Sequence, residues 1–146
     1  MSDSHGRPAE NAAAGGDSLD LDDPQYYLNR ELSELAFQRR VLNEAQDERN
    51  PLLERVRFLS IVTRNLDEFV MKRVGGLRQQ IEAGVTERTA DGRTPQEQWE
   101  AVHDELGPLL RAQTECYQHS IKPALADAGI EILDYEALTD AERAAM

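Results

Sequence analysis

The residues best suited to bind a ligand lie in the middle of the chain, in the segment Asn65-Leu66-Asp67-Glu68-Phe69. This segment places an amide and two carboxylates close in sequence to the aromatic rings of Phe58 and Phe69. Amides hydrogen-bond nucleobases, aromatic rings stack on them, and cationic side chains bind phosphate. The cations of the same stretch are Arg55, Arg57, Arg64, Lys72, Arg73 and Arg78. The combination is typical of part of a nucleotide-phosphate site.

The chain as a whole is strongly acidic. It has 28 Asp and Glu residues against 16 Lys and Arg residues, for a formal net charge of −12 over 146 residues. A field of that sign repels polyanions, so we expect no nucleic-acid partner, and any phosphate site must be a local basic cluster. Acidic residues with very few lysines also suit a high-salt cytoplasm, where screening relieves self-repulsion. A halophilic source is therefore a hypothesis from composition.

The apolar segments give no sign of export or of membrane insertion. Residues 1–10 lack the apolar core of a signal peptide, and no apolar run is long enough to cross a bilayer. A single cysteine, Cys116, excludes an internal disulfide. The sequence predicts a cytoplasmic protein without membrane partners, and it leaves open whether the chain forms homo-oligomers.

The chain divides into a tail, a helical domain and a short C-terminal piece. Residues 1–23 are small and acidic and predict a disordered tail. Residues 24–129 predict an all-α domain of three long antiparallel helices in an up-down bundle. Residues 130–146 read as the start of a second, truncated domain. They begin with one predicted strand at 130–133, whose partner strands lie outside this chain, and continue into a helix opened by a capping box at Thr139.

Capping signals predict where the first two helices begin. The first helix is expected from about Ser33, as its N-cap, to Gln46. Asn50 is predicted to cap the second helix, with Pro51 at the first helical position, where a missing N–H costs nothing.

Glycine, proline and a second capping box predict the other boundaries. Gly84 should end the second helix, and the box beginning at Thr94 should open the third. Pro108 should kink or split the third helix, and Gly129 should end it. Gly75-Gly76 is either a point of close packing or a weak spot where the second helix bends.

The second helix has two apolar faces. One is predicted to be core and consists of Leu52, Val56, Leu59, Leu66, Val70, Val74, Leu77 and Ile81. The other lies about a third of a turn or less away and consists of Phe58, Ile61, Val62, Asn65, Phe69 and Lys72. Either this second face packs on another helix of the bundle, with Asn65 bonded to backbone, or Asn65 offers its amide to a bound base with an aromatic stacked nearby. The cations, likewise, either pair with acids on a solvated face or gather at a site.

The remaining candidates are weaker. Glu100 and His103 have the Glu-x-x-His spacing of carboxylate-bridged metal bundles, but the second copy that such a site needs is missing. Cys116 falls between apolar positions and reads as a core residue. No nucleophile has a matched base, and no glycine loop has the Lys and Ser/Thr that bind phosphate and magnesium. The residues alone therefore predict a binding or scaffolding module without catalytic residues or metal ligands.

Several motifs in order resemble the amino-terminal helical domain of polyphosphate kinase of the first type, strongly over 26–77 and more loosely over the helix to Gly129 and the strand after it. The matching residues are Arg30-Glu31-Leu32-Ser33, Leu35-Ala36-Phe37, Arg40-Val41-Leu42, Asn50-Pro51-Leu52-Leu53-Glu54-Arg55, Arg57-Phe58-Leu59 and Asn65-Leu66-Asp67-Glu68-Phe69 through Arg73. Two positions depart from the family pattern. Glu34 stands where the family usually has tryptophan, and Gly107-Pro108 interrupts a helix that relatives run straight through.

The resemblance implies a reversible transfer of the terminal phosphate of ATP to polyphosphate through a phosphohistidine, with Mg²⁺. It implies that this domain covers the nucleotide and that the ATP-contacting asparagine is Asn65. From the residues themselves, Phe58 and Phe69 are the candidates to line the site beside Asn65. The catalytic histidines and metal ligands of the family belong to carboxy-terminal domains outside this chain, so the chain alone is predicted to be inactive. The alternative function is a stand-alone helical adaptor, which would bind a protein partner through the second face of the second helix and catalyse nothing.

The halophilic hypothesis predicts a dependence of the fold on salt. Because the −12 net charge is self-repulsive when unscreened, transfer from molar to millimolar KCl should reduce the helical circular dichroism signal at 222 nm. A signal that stays the same across this range would refute the hypothesis.

Overall fold

The computed structural model describes residues 20–24 and 28–146. Most of the predicted disordered tail, residues 1–19, lies outside the described residues. The part of the tail that is described forms a turn closed by a 3.0 Å hydrogen bond from the backbone N–H of Asp23 to the carbonyl of Asp20.

Three long helices account for most of the described chain. Helix α1 is Arg30–Gln46. Helix α2 covers 52–82 and consists of Leu52–Phe69, a π-helical turn at Val70–Val74, and Gly75–Glu82. Helix α3 covers 95–127 and consists of Pro95–Glu115, a π-helical turn at Cys116–Ile121, and Lys122–Asp127. A 3-10 turn at Tyr135–Ala137 and the short helix α4, Asp140–Ala144, follow α3.

Cross-helix hydrogen bonds show an up-down-up arrangement. The start of α2 meets the end of α1, where Arg55 Nε donates to the carbonyl of Ala45 at 2.8 Å. Further along α2, Thr63 Oγ1 accepts from Gln113 Nε2 of α3 at 2.6 Å. The start of α1 lies beside the start of α3, where Asn29 Nδ2 donates to Gln98 Oε1 at 3.3 Å. The predicted all-α class with three long helices is confirmed.

The core lies along the centre of the bundle and draws on all three helices. Its buried apolar residues are Leu35, Leu42, Ala45, Leu59, Val62, Leu66, Phe69, Val74, Leu77, Val102, Leu106, Leu109, Cys116, Ile121 and Leu125. The predicted core stripe of α2 is confirmed at Leu59, Leu66, Val74 and Leu77, whereas Val70 is exposed. Val62 and Phe69, from the second face, are buried as well, because α2 packs on two neighbours and needs a wide apolar arc.

Helix α1 begins three residues before the predicted start, so Ser33 as its N-cap is wrong. The N-cap is Asn29, whose side-chain oxygen accepts from the N–H groups of Glu31 and Leu32 at 3.0 and 3.2 Å. The same side chain donates to Gln98 on α3. The Asn29 side chain thus accepts hydrogen bonds from the first turn of α1 and donates one to the buried side chain of Gln98. The Ser33 hydroxyl does not make this pair of contacts.

The predicted cap of α2 is also wrong. Asn50 makes no capping bond to α2. Its Nδ2 instead donates back to the carbonyl and the carboxylate of Glu44, at 2.9 and 3.0 Å. Pro51 stands at the cap position without a side-chain hydrogen bond, and α2 begins at Leu52. Asn50 therefore closes the turn after α1 and leaves the start of α2 to proline.

The glycine stops and both capping boxes are confirmed. Gly84 and Gly129 end their helices with φ of +73° and +84°, which only glycine adopts freely. Thr94 and Thr139 each form the predicted reciprocal capping box. A Cβ on Gly76 would meet nothing within 4 Å, so this pair is not a point of close packing.

Pro108 does not split α3. The segment Pro95–Glu115 continues through it as one α-helix. Proline removes the hydrogen bond to the carbonyl of Asp104, and both residues lie on the exposed side of the helix, where water can reach that carbonyl. The irregular winding of α3 occurs later, at Cys116–Ile121.

The predicted strand at 130–133 is wrong, since these residues have no regular structure. The N–H of Ile130 donates to the carbonyl of Leu125 at 2.8 Å, which completes the end of α3 after Gly129. The apolar side chains that suggested a strand are about half exposed. A β-branched run without a neighbouring strand has no ladder to join.

Arg55 joins all three helices from a buried position. Its side chain is on α2 and 4% exposed. It donates to the carbonyl of Ala45 on α1, and its Nη2 donates to Ser120 Oγ on α3 at 2.5 Å. The pKa of nearby Asp47 is lowered to about 2, first by hydrogen bonds from Arg49 and to a smaller extent by the charge of Arg55.

This arrangement predicts a stability difference between two arginines of α2. Arg55→Met should lower the free energy of unfolding by about 1–3 kcal/mol, because the Ala45 carbonyl and Ser120 lose a buried donor. Arg57→Met is the matched control at an exposed position and should change it by less than about 0.5 kcal/mol. Urea unfolding followed by circular dichroism measures both, and equal effects would contradict the bridging role of Arg55.

Candidate functional site

Asn65 is half-buried on α2, on the side that faces α1. Its Nδ2 donates to the Oε1 of Gln38 on α1 at 3.3 Å. The Asn65 side chain is therefore hydrogen-bonded to another side chain. The expectation that it would bond to backbone, if the second face packed on another helix, is wrong. Its other amide hydrogen and its Oδ1 have no hydrogen-bond partner among the residues that the structure describes.

A small cleft opens beside Asn65. It has a volume of about 200 Å³ and is lined by Glu34, Asn65, Glu68, Phe69, Lys72 and Arg73. We call this set the Asn65 cleft. It contains two carboxylates and two cations, so its formal charge is zero at neutral pH. Complete small-molecule pockets typically measure about 300–1,000 Å³, and the Asn65 cleft has the size of one part of such a pocket.

The two aromatic candidates occupy different places. Phe69 lines the Asn65 cleft but is only 2% exposed, so its ring belongs chiefly to the core. Phe58 is half-buried, packs against the core cluster and does not line the cleft. Of the residues that the sequence singled out, the structure brings Asn65 and Phe69 together and places Phe58 apart.

The cations of α2 do not gather into one basic cluster. Arg55 is buried among the helices, Arg78 pairs with Glu82 at 3.1 Å, and Arg64 lines a different groove. Only Lys72 and Arg73 lie at the Asn65 cleft. Arg73 Nη1 is 3.9 Å from a carboxylate oxygen of Glu31 on α1. The local basic cluster that a phosphate site needs is therefore not formed by these six residues.

The weaker candidates, His103, Glu100 and Cys116, contact neighbouring groups of the protein and do not form a site together. His103 stacks on Trp99 with ring centroids 4.3 Å apart, and Glu100 accepts from Gln96. Burial raises the pKa of the Cys116 thiol, and the charge of Arg55 opposes this only in part, so the thiol is a poor nucleophile. Within 20–24 and 28–146, no three His, Cys, Asp or Glu side chains are grouped to hold a metal ion.

A larger groove lies between α2 and α3 and was not expected from the sequence. Its volume is about 680 Å³. Its apolar lining includes Leu59, Tyr117, Ile121 and Leu125, and Ile132 from the irregular C-terminal segment also contributes. The periodicity of α2 assigned Leu59 to the core, and only the spacing of the two helices shows that a groove remains beside it.

The sequence did not single out as site residues Glu34, which lines the cleft, or Gln38, which bonds to Asn65 from behind it. Gln38 is 3% exposed on α1 and provides the acceptor for Asn65. In the sequence it is one polar residue within the run Phe37-Gln38-Arg39-Arg40. No local signal distinguishes it, because only the antiparallel register of α1 and α2 shows that it lies opposite Asn65.

Comparison with known proteins places this geometry in a family. Residues 27–133 match the family described as "Polyphosphate kinase N-terminal domain". The chain is 52% identical over 126 residues to a polyphosphate kinase of Synechocystis sp., covering 86% of this chain and 17% of that protein. It is 46% identical over 126 residues to one from Halalkalibacterium halodurans, covering 86% and 18%, and 45% identical over 129 residues to one from Bacillus cereus, covering 88% and 18%. No solved structure matches the chain.

The chain spans about a sixth of the length of the curated relatives it matches, with 17% of the Synechocystis protein covered. In the described part of the chain, no helix is both long enough and apolar enough to span a membrane. The family match covers all three long helices, including Gln38 and the Asn65 cleft. The chain therefore belongs to the polyphosphate kinase family, and it contains the amino-terminal domain of that family.

Proposed function

We propose that this chain is the nucleotide-covering part of an ATP:polyphosphate phosphotransferase and that the Asn65 cleft contacts the nucleoside of ATP. The observation that carries the proposal is the state of the Asn65 amide. It lines an open cleft and retains one N–H and one oxygen without partners among the described residues. Polar groups of this kind, placed at a concave site, supply the specificity of ligand binding.

The charge of the cleft supports a nucleoside over a triphosphate. Glu34 and Glu68 balance Lys72 and Arg73, and the surrounding protein carries a net charge of −12. A triphosphate needs several cations or a metal to offset its charge, whereas a neutral base and ribose need hydrogen bonds and apolar contact. The cleft therefore forms one wall over the base and ribose.

The chemical step is assigned to residues outside this chain. Phosphoryl transfer depends on positioning and on charge neutralisation by metal ions and cations. The described residues form neither a group of metal ligands nor a cluster of cations. In this proposal the phosphohistidine and the Mg²⁺ ligands belong to carboxy-terminal domains of the complete enzyme, which are the partners of this domain. Its contribution is to cover and orient ATP.

The adaptor alternative has less support from the structure. It required the second face of α2 to be free for a protein partner. Val62 and Phe69 from that face are buried inside the bundle. The polar remainder around Asn65 suits a small polar ligand better than the apolar face of a partner helix.

ATP binding by the 146-residue chain should appear as local NMR changes. Titration of the ¹⁵N-labelled chain with ATP should shift the backbone amide signals of Asn65 and Phe69 and the side-chain amide signal of Asn65. The affinity should be millimolar, because a site built from several domains loses most contacts in one of them. The side-chain amide of Asn43, exposed on α1, is the internal control and should stay in place. Shifts that are absent, or equal at Asn65 and Asn43, would contradict the proposal.

The assignment of catalysis to other domains predicts that the purified chain makes no polyphosphate. Incubation with ATP and Mg²⁺ should give no product above a blank without protein, in an assay that detects polyphosphate formation by an intact relative. Polyphosphate synthesis by the chain alone would overturn the assignment.

A further inference from the structure

We propose that Gln38 is a positioning residue that fixes the orientation of the Asn65 amide in the cleft. The proposal rests on the proposed function of the Asn65 cleft. Gln38 belongs to α1, Asn65 belongs to α2, and the contact between them is the 3.3 Å hydrogen bond from Asn65 Nδ2 to Gln38 Oε1. Gln38 does not line the cleft itself, so it acts on a ligand only through Asn65.

An asparagine amide has little intrinsic preference about its last torsion, because rotation about an sp³–sp² bond is broad. A half-buried Asn65 could therefore present either its nitrogen or its oxygen to the cleft. In the structure, Nδ2 turns toward α1 and donates to Gln38 Oε1, and Oδ1 turns away from α1. The amide is then oriented before a ligand arrives, which lowers the entropy lost on binding.

Burial makes Gln38 a rigid support for this arrangement. Its side chain is 3% exposed, and a buried amide is costly unless it is hydrogen-bonded. Rotation of Asn65 away from Gln38 would break the one hydrogen bond that the Gln38 side chain makes among the described residues. The two side chains are therefore coupled, and Gln38 holds the Asn65 amide against α1.

The same bundle contains a matched control. Gln98 on α3 is 5% exposed, and its Oε1 accepts from the Nδ2 of Asn29 at 3.3 Å. Gln38 and Gln98 thus make the same type of bond at similar burial, but Gln98 and Asn29 do not line the Asn65 cleft. A purely structural role predicts similar consequences when either glutamine is replaced, whereas a positioning role predicts a difference in ligand binding.

The test compares three forms of the 146-residue chain, which are the unmodified protein, Gln38→Met and Gln98→Met. Methionine keeps the length of glutamine and removes its hydrogen bonds. ATP is titrated into each ¹⁵N-labelled protein, and the dissociation constant is read from the Asn65 amide signals. We expect the same constant for the unmodified protein and Gln98→Met, and a constant about fivefold larger for Gln38→Met.

The outcomes separate the two proposals. If ATP does not shift the Asn65 signals of the unmodified protein, the proposed function is wrong. If ATP shifts these signals and Gln38→Met binds ATP as tightly as the unmodified protein, the positioning role is wrong and the proposed function stands. Equal weakening by both variants also rejects the positioning role, since it reflects a general loss of structure.

A measurement on the unmodified protein covers the case in which Gln38→Met fails to fold. The side-chain NH₂ protons of Asn65 should show a nuclear Overhauser effect to the γ-methylene protons of Gln38, both without ATP and at saturating ATP. Loss of this effect in either state would overturn the proposal, because the amide would then not be held by Gln38.

Discussion

The buried guanidinium of Arg55 is the interaction on which the arrangement of the bundle depends. A buried cation costs several kcal/mol unless its donors find partners. Arg55 finds them on two other helices, at the carbonyl of Ala45 and the hydroxyl of Ser120. Carbonyls at the end of a helix carry partial negative charge, so the end of α1 compensates an arginine well. The three helices must therefore meet at this point for the charge to be satisfied.

The register that follows from this contact creates the site. With Ala45 opposite Arg55, the antiparallel course of α1 and α2 places Gln38 opposite Asn65 and Glu31 near Arg73. Phe69 and Val62 then face the bundle interior. The second face of α2 is consequently part core and part cleft. The packing interpretation of that face is confirmed for Val62 and Phe69, and nucleotide binding at Asn65 stays a prediction.

Local signals predicted the helices and their ends where the signal has a single physical outcome. The apolar stripe of α2 with the exception of Val70, the capping box at Thr94 and the glycine at Gly129 behaved as the sequence indicated. Ser33 and Asn50 failed because a polar side chain has several partners to choose from, and tertiary contacts decide among them. The strand at 130–133 failed because a strand depends on neighbours that the local sequence does not describe.

The sequence singled out Asn65, which lies at the centre of the candidate site, but not the residues of α1 around it. Asn65 stood out because an amide beside acids and aromatics is unusual on an apolar helix. Gln38 and Glu34 did not stand out as members of a site, since their role depends on which residues of α1 lie opposite α2. The family match shows that the cleft lies within a polyphosphate kinase amino-terminal domain. The chain covers 17% of the length of its Synechocystis relative.

The most direct test of this account is to locate the base of ATP on the chain by intermolecular nuclear Overhauser effects. We expect contacts from the H2 and H8 protons of adenine to the side chains of Asn65 and Phe69 at the cleft between α1 and α2. Contacts instead to Tyr117 and Leu125, in the groove between α2 and α3, would contradict it and move the nucleotide to the other side of α2.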